Sequence, residues 1–163
     1  MSCVPLAIRP ATAAELPAVG ALCVAAYAPF LDGDAAYLET LRDAAARAAA
    51  AELLVAVEAD RLLGTVTFVP AGGPLGEIST PDEAEFRMLA VDSAARGRGV
   101  GIALMRYVLG ESRRLGKAGV VCSSLAEMRA AHRIYARLGF RRAPERDWSP
   151  LPGVDLLAFA RSL

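Results

Sequence analysis

The sequence predicts an α/β fold, a mixed sheet with helices on both of its faces. Short apolar runs of strand length alternate with longer stretches of helical periodicity. Two of those runs, Leu53 to Glu58 and Leu62 to Val69, are separated only by Ala59-Asp60-Arg61, which suits a hairpin. Others are joined across long amphipathic segments, which suits strand–helix crossovers, so both kinds of connection belong to one sheet. A chain of 163 residues with no Pro/Ser linker or charge block is one domain, 1–163.

The elements follow in order. Leu6 to Arg9 is a short first strand. Thr12-Ala-Ala-Glu15 is a capping box opening a helix over Ala13 to Ala28. Ala35 to Glu52 reads as a second helix, its alanine-rich Asp43 to Glu52 supplying propensity. The hairpin comes next, then a Gly/Pro-rich loop over Gly72 to Pro81 and a strand over Ala84 to Val91. A glycine-rich loop leads into a helix to about Leu115. The strand Gly119 to Ser123, the helix Met128 to Leu138 and two closing strands complete the chain, with no internal repeat.

Eighteen basic residues balance eighteen acidic ones, which argues against nucleic acid or an anionic membrane as the main partner. Cys3, Cys23 and Cys122 are odd in number and fit no metal-ligand spacing, so no metal site is expected and reduced cytoplasmic thiols are. Cys122, in a strand-like run, reads as a small buried hydrophobe. The uncharged stretch Leu16 to Leu31 reads as too short to span a membrane and contains Pro17, Gly20 and Pro29. The N-terminus lacks the basic start and apolar run of a signal peptide, and a cytoplasmic protein, monomer or homodimer, is expected.

The segment Arg96-Gly97-Arg98-Gly99-Val100-Gly101 carries the chemistry. It lies between a strand and a helix, where unpaired backbone N–H groups and the positive end of the helix dipole meet glycines that let a phosphate approach the backbone. The P-loop spacing is absent. The dinucleotide fingerprint also fails, because Ile102 or Leu104 stands where its third glycine belongs and Val121 where its acidic residue belongs. Arg-x-x-Gly-x-Gly, from Arg96 through Gly99 to Gly101, does fit. In it the sequence resembles the GNAT superfamily of acyl-CoA-dependent N-acetyltransferases, whose loop of this form holds the pyrophosphate of coenzyme A.

Residues Met128 to Phe140, MRAAHRIYARLGF, resemble the second cofactor-contacting helix of that family, A-x-x-Leu-Tyr-x-x-Leu-Gly-Phe, with Ala131, Ile134, Tyr135, Leu138, Gly139 and Phe140 in those places. Met128 stands where many members place an asparagine against the pantetheine arm, leaving Ser123 or Ser124 as polar substitutes. The resemblance implies the GNAT fold with about seven strands, acetyl-CoA as co-substrate and a primary amine acceptor, small molecule or peptide. It places a strand bulge around Leu89, Ala90 and Val91, whose backbone would hold the pantetheine and polarise the thioester. Arg96, Gly97, Arg98, Gly99, Val100 and Gly101 are expected to bind the cofactor, with Ser124 and Tyr135 beside it.

An alkyl amine must lose a proton before it attacks a thioester, and the departing thiolate must gain one. Glu85 and Arg87 interrupt an apolar strand and on period-two alternation share a face with Leu89 and Val91. A salt bridge between them is one reading. The other is implied by the resemblance: Glu85 stands eleven residues before Arg96, the offset at which several family members place the glutamate that deprotonates the amine through water, so it is the candidate general base. Tyr135 is the candidate acid, its alternative reading being a core aromatic on the face shared by Ala131 and Leu138. His132, the only histidine, has no partner evident from sequence and reads as a surface or groove-lining residue, a proton shuttle or cofactor contact being the alternative. The resemblance implies that the acceptor enters opposite the cofactor, among the first two helices and the loops near the last strands, which here offer Tyr27, Phe30, Asp32, Asp34, Tyr37 and Trp148. A non-catalytic acyl-CoA sensor is the alternative function.

Overall fold

A computed structural model describes residues 4–163; Cys3 lies outside the described residues. The sheet has eight strands: β1 (Ala7–Pro10), β2 (Glu52–Glu58), β3 (Arg61–Val69), β4 (Glu83–Val91), β5 (Gly119–Leu125), β6 (Arg141–Arg142), β7 (Trp148–Leu151) and β8 (Val154–Ser162). Their order is β1-β2-β3-β4-β5-β8-β6, with β7 paired to β8. Every pairing is antiparallel except β4 with β5, so the sheet is mixed as expected.

Five helices cover it: α1 (Leu16–Tyr27), α2 (Ala35–Arg42), α3 (Ala44–Ala50), α4 (Val100–Arg114) and α5 (Arg129–Arg137). Strand β2 is buried on both sides, as a sheet layered between helices requires. Leu53, Val55 and Val57 pack with Val19, Cys23 and Leu41 of α1 and α2, while Leu54 and Ala56 pack with Leu104, Met105 and Val108 of α4.

The second helix predicted over Ala35 to Glu52 is two helices, and Glu52 begins β2. Asp43 leaves helical geometry at ψ 69° and its carboxylate accepts the N–H of Ala46 at 3.0 Å, so it caps α3 rather than continuing α2. The buried Arg47 guanidinium donates to the carbonyls of Thr40 (2.9 Å) and Leu41 (2.6 Å), satisfying orphan acceptors at the end of α2. Gly20 allows the crossing of α1 and α2, because a Cβ there would lie 2.1 Å from the Arg42 carbonyl oxygen. The N-terminal capping box is present, with the Thr12 N–H donating to Glu15 at 2.8 Å. With its short flanking turns, α1 makes an apolar helical run, Ala13–Phe30, of mean hydropathy 1.4. By length and composition it could cross a membrane, which corrects the expectation that the stretch is too short. Here Val19, Gly20 and Cys23 of that run are buried in the fold.

The close of the chain holds three strands rather than two, because β6 and β7 both pair with β8. Arg146, in the turn after β6, reaches back to Glu83 at the start of β4, with nitrogen–oxygen distances of 2.9 and 2.8 Å, and also donates to the Ile78 carbonyl. The hydrogen-bonded Arg146 guanidinium, with further help from the Thr80 N–H, holds the Glu83 carboxyl at about 2 against its ordinary 4.5. A depressed carboxyl pKa stabilises the fold above its unfolded value, and that stability is lost as pH falls from about 4.5 toward about 2. The melting temperature of the parent should therefore fall more steeply across that window than that of Glu83→Gln. Parallel curves would show that the ion pair adds nothing.

Candidate active site

The site is organised by two irregularities of β4. Thr67 pairs with Arg87 and Thr65 with Ala90, so Met88 and Leu89 together oppose Val66 in a β-bulge. Met88 sits at φ 55°, a strained value for a residue with a side chain. The bulge begins one residue before the predicted Leu89 to Val91. It also breaks the alternation, which corrects the expectation that Glu85, Arg87, Leu89 and Val91 share a face. Leu89 and Val91 pack with the α4 cluster, whereas Met88 and Ala90 pack with α1 and α2. Arg87 lies on the α1–α2 side, where its charge acts on Tyr37 and Tyr27.

The second irregularity is a parting of strands. The ladder between β4 and β5 runs only over Glu83–Glu85 against Gly119–Val121, although β4 continues to Val91 and β5 to Leu125. Two neighbouring parallel strands that separate toward their C-terminal ends form the crevice in which open α/β sheets bind ligands.

The glycine loop closes one end of this crevice. Gly97 and Gly99 adopt φ 77° and 79°, and a Cβ at either would meet no atom within 4 Å. Gly99 caps α4, leaving the first N–H groups of that helix, those of Val100, Gly101 and Ile102, directed outward at its positive end. Gly101 has a different reason for being glycine. A Cβ there would stand 2.7 Å from Ile134 Cδ1 and 3.7 Å from Val91 Cγ2, so it permits α4 to pack against α5 rather than baring backbone to a ligand. Arg98 donates to both carboxylate oxygens of Glu58, at 2.8 and 3.0 Å. Arg96 is exposed and forms no ion pair among the described residues.

Tyr135 stands on the α5 side of the sheet, 4 % exposed, its ring edge-on to Phe86 (5.5 Å between centroids) and Phe159 (5.3 Å). Burial pushes its hydroxyl pKa well above ten, and the hydroxyl interacts with Cys122 and Ser124. It is thus a core aromatic whose buried hydroxyl favours its protonated form. Ser124 is buried, and His132 Nε2 lies 3.0 Å from its Oγ, so the histidine has the partner that sequence did not reveal. Met128 is the residue preceding the first turn of α5. Cys122 is buried and free, its thiol pKa raised by burial, as its reading as a small hydrophobe requires.

Glu85 is fully buried. One oxygen, Oε2, accepts the backbone N–H groups of Glu77, Ile78 and Ser79 at 2.9, 3.2 and 3.1 Å, and Oε1 has no hydrogen-bond partner among the described residues. The predicted salt bridge to Arg87 is absent: Arg87 pairs instead with Glu77 at 2.7 Å. Burial raises the Glu77 carboxyl pKa, with the Arg87 charge opposing it. Of the acceptor candidates, Tyr27 and Tyr37 lie near Arg87, and Trp148 donates to Ser123 Oγ at 3.0 Å. Asp34 is occupied in capping α2 through the Tyr37 N–H at 3.0 Å, and Phe30 and Asp32 are exposed. Sequence reasoning missed the contacts of residues 77–79 with Glu85 and of Ser124 with His132, which join a loop to a strand and a strand to a helix.

A bulged strand, with a glycine loop capping the next helix, is the arrangement that the GNAT resemblance implies, and here the strand also parts from its parallel neighbour. The family described as "Acetyltransferase (GNAT) domain" matches residues 49–142, and the chain belongs to it. The N-acetylaspartate synthetase of Danio rerio is 40 % identical over 70 residues, which are 43 % of this chain and 25 % of that protein, so the chain spans about a quarter of that curated relative's length. A GCN5-related N-acetyltransferase from Kribbella flavida superposes with a TM-score of 0.67 at 28 % identity over 97 % of this chain and 98 % of that one. A Salmonella typhimurium protein solved with its cofactor acetyl-CoA shares the fold, with a TM-score of 0.67 at 22 % identity over 98 % of this chain and 94 % of that one.

Proposed function

We propose that the chain transfers an acetyl group from acetyl-CoA to a primary amine by direct attack in a ternary complex. The observation that carries this reading is the parting of β4 and β5 beyond Glu85 and Val121, with Tyr135 packed against Phe86 of β4. The N-terminus of α4 and Arg96 would take the pyrophosphate, and the backbone of Leu89, Ala90 and Val91 the pantetheine. In that arrangement the thioester reaches the strand gap with donors already aimed at its oxygen. Burial raises the Tyr135 hydroxyl pKa, which favours its protonated form, and in this scheme it gives its proton to the thiolate.

The acceptor enters from the α1–α2 side, where Glu85, Glu77, Arg87, Tyr27 and Tyr37 converge. Arg87 favours an amine that also carries a carboxylate, and the N-acetylaspartate synthetase relatives accord with an amino acid. The buried free thiols of Cys23 and Cys122 accord with a reducing cytoplasm.

The test is thermal melting with acetyl-CoA, followed by thiol release across a panel of amines. Acetyl-CoA should raise the melting temperature, and an amine should release CoA only in the presence of protein. Stabilisation without thiol release from any amine would leave only a binding module.

Glu85 acts in this scheme as the base, through its unpaired Oε1. Glu85→Gln offers the same loop an amide oxygen, so the loop bonds persist while basicity is lost. Turnover should fall roughly 10²-fold, most steeply at low pH where little amine is neutral, with acetyl-CoA affinity unchanged. An unaltered pH–rate profile would reduce Glu85 to an anchor for residues 77–79.

A further inference from the structure

Ser124 lies between two groups that titrate or donate. Its Oγ is 3.0 Å from His132 Nε2 and interacts with the buried Tyr135 hydroxyl, and it is itself only 6 % exposed. His132 is half-buried at the start of α5, so it alone of the three reaches toward solvent. We propose that Ser124 and His132 form a proton relay that reprotonates Tyr135 after it has protonated the departing CoA thiolate, an inference that rests on the acid role proposed above.

The step balances. As the amine nitrogen bonds to the acetyl carbon, the carbon–sulfur bond breaks with its electron pair on sulfur, and the Tyr135 proton passes to sulfur. The phenolate takes the Ser124 hydroxyl proton, Ser124 takes the proton on His132 Nε2, and His132 Nδ1 takes one from solvent; the ring returns to its Nε2–H form by proton exchange with solvent before the next turnover. The amine has meanwhile released its own protons through the base. Tyr135 is only 4 % exposed, so such a chain answers how its phenol is recharged between turnovers.

The environment of His132 suits a carrier that stays neutral. Its ring packs on Phe159 at 4.8 Å, and the Leu125 carbonyl of β5 faces it. Arg129 on its own helix and Arg142 on β6 present positive charge to it. Burial first, then the two arginines, lower its pKa, while the Leu125 carbonyl opposes them. A neutral imidazole hands on one proton while accepting another, and so works above its own pKa.

His132 is the only histidine, so ¹⁵N spectra of the CoA-bound protein report its tautomer without ambiguity. A protonated Nε2 is expected, and an Nε2 bare of hydrogen near neutral pH would overturn the relay without any acceptor being needed. Thiol release from acetyl-CoA is then followed with L-aspartate, ethanolamine or glycinamide, using whichever reacts fastest. Ser124→Ala and His132→Gln should each slow turnover about tenfold to a hundredfold, with KM for acetyl-CoA unchanged. Gln keeps an N–H for Ser124 but cannot relay, which separates the relay from simple positioning. Each combined with Tyr135→Phe should give no further loss, since the residues act as one unit. Added imidazole should restore His132→Ala. If Tyr135→Phe is slow while the other two are parent-like, the relay is wrong and the acid role stands; a parent-like Tyr135→Phe would remove both.

Discussion

Tyr135→Phe should slow acetyl transfer by about 10²- to 10⁴-fold, the range that a positioned proton donor contributes, and leave the fold and acetyl-CoA affinity almost intact. The ring accounts for the packing: it meets Phe86, Phe140 and Phe159 at centroid distances of 5.5, 5.9 and 5.3 Å, and Phe reproduces that surface. Only the hydroxyl and its interactions with Cys122 and Ser124 are removed. A CoA thiolate is a tolerable leaving group, so the lower end of the range is the expected value, and the deficit should be largest at high pH, where solvent is a poor proton source. The measurement is single-turnover thiol release across pH at saturating acetyl-CoA. Rates equal to the parent at every pH would return Tyr135 to the role of core aromatic.

What the sequence made legible was local. The loop from Arg96 to Gly101 and the segment from Met128 to Phe140 are continuous in the chain, and each motif carries its own reason for its residues: left-handed glycines, a helix start, a tyrosine on one helix face. The element types followed from periodicity for the same reason. Misreadings arose where a distant contact overrides a local signal. No glycine or proline marks the bulge at Met88 and Leu89; it exists because Val66 on β3 is opposed by two residues, and it turns Leu89 and Val91 away from the face of Arg87. The partner of Arg87 is Glu77, across a loop, rather than its neighbour Glu85. Similarly, β8 inserts between β5 and β6, a placement that neither strand's sequence encodes. The break at Asp43 was readable in principle, since aspartate before an alanine run is a helix cap, but its high-propensity surroundings masked it.

The same contrast between local and distant causes separates two neighbouring glycines. Gly99→Val should weaken acetyl-CoA binding by tenfold or more with a modest loss of stability, whereas Gly101→Val should mainly destabilise. At Gly99 the backbone sits at φ 79°, which costs a residue with a Cβ about 1–2 kcal/mol and a β-branched one more. Nothing lies within 4 Å to clash, so the chain can relieve the strain by rotating the loop. That rotation turns the N–H groups of Val100, Gly101 and Ile102 away from a common point, and a loss of about 1.4 kcal/mol in their combined hold on phosphate is already tenfold in affinity. At Gly101 no such backbone demand exists. The new side chain meets Ile134 Cδ1 at 2.7 Å, and parting α4 from α5 should cost about 1–3 kcal/mol of overpacking, softened because the end of Ile134 can shift. Calorimetry with acetyl-CoA and thermal melting of both variants measure the two effects separately. If Gly99→Val binds acetyl-CoA as tightly as the parent while folded, the helix start is not the phosphate site, and Arg96 would have to hold the pyrophosphate without it.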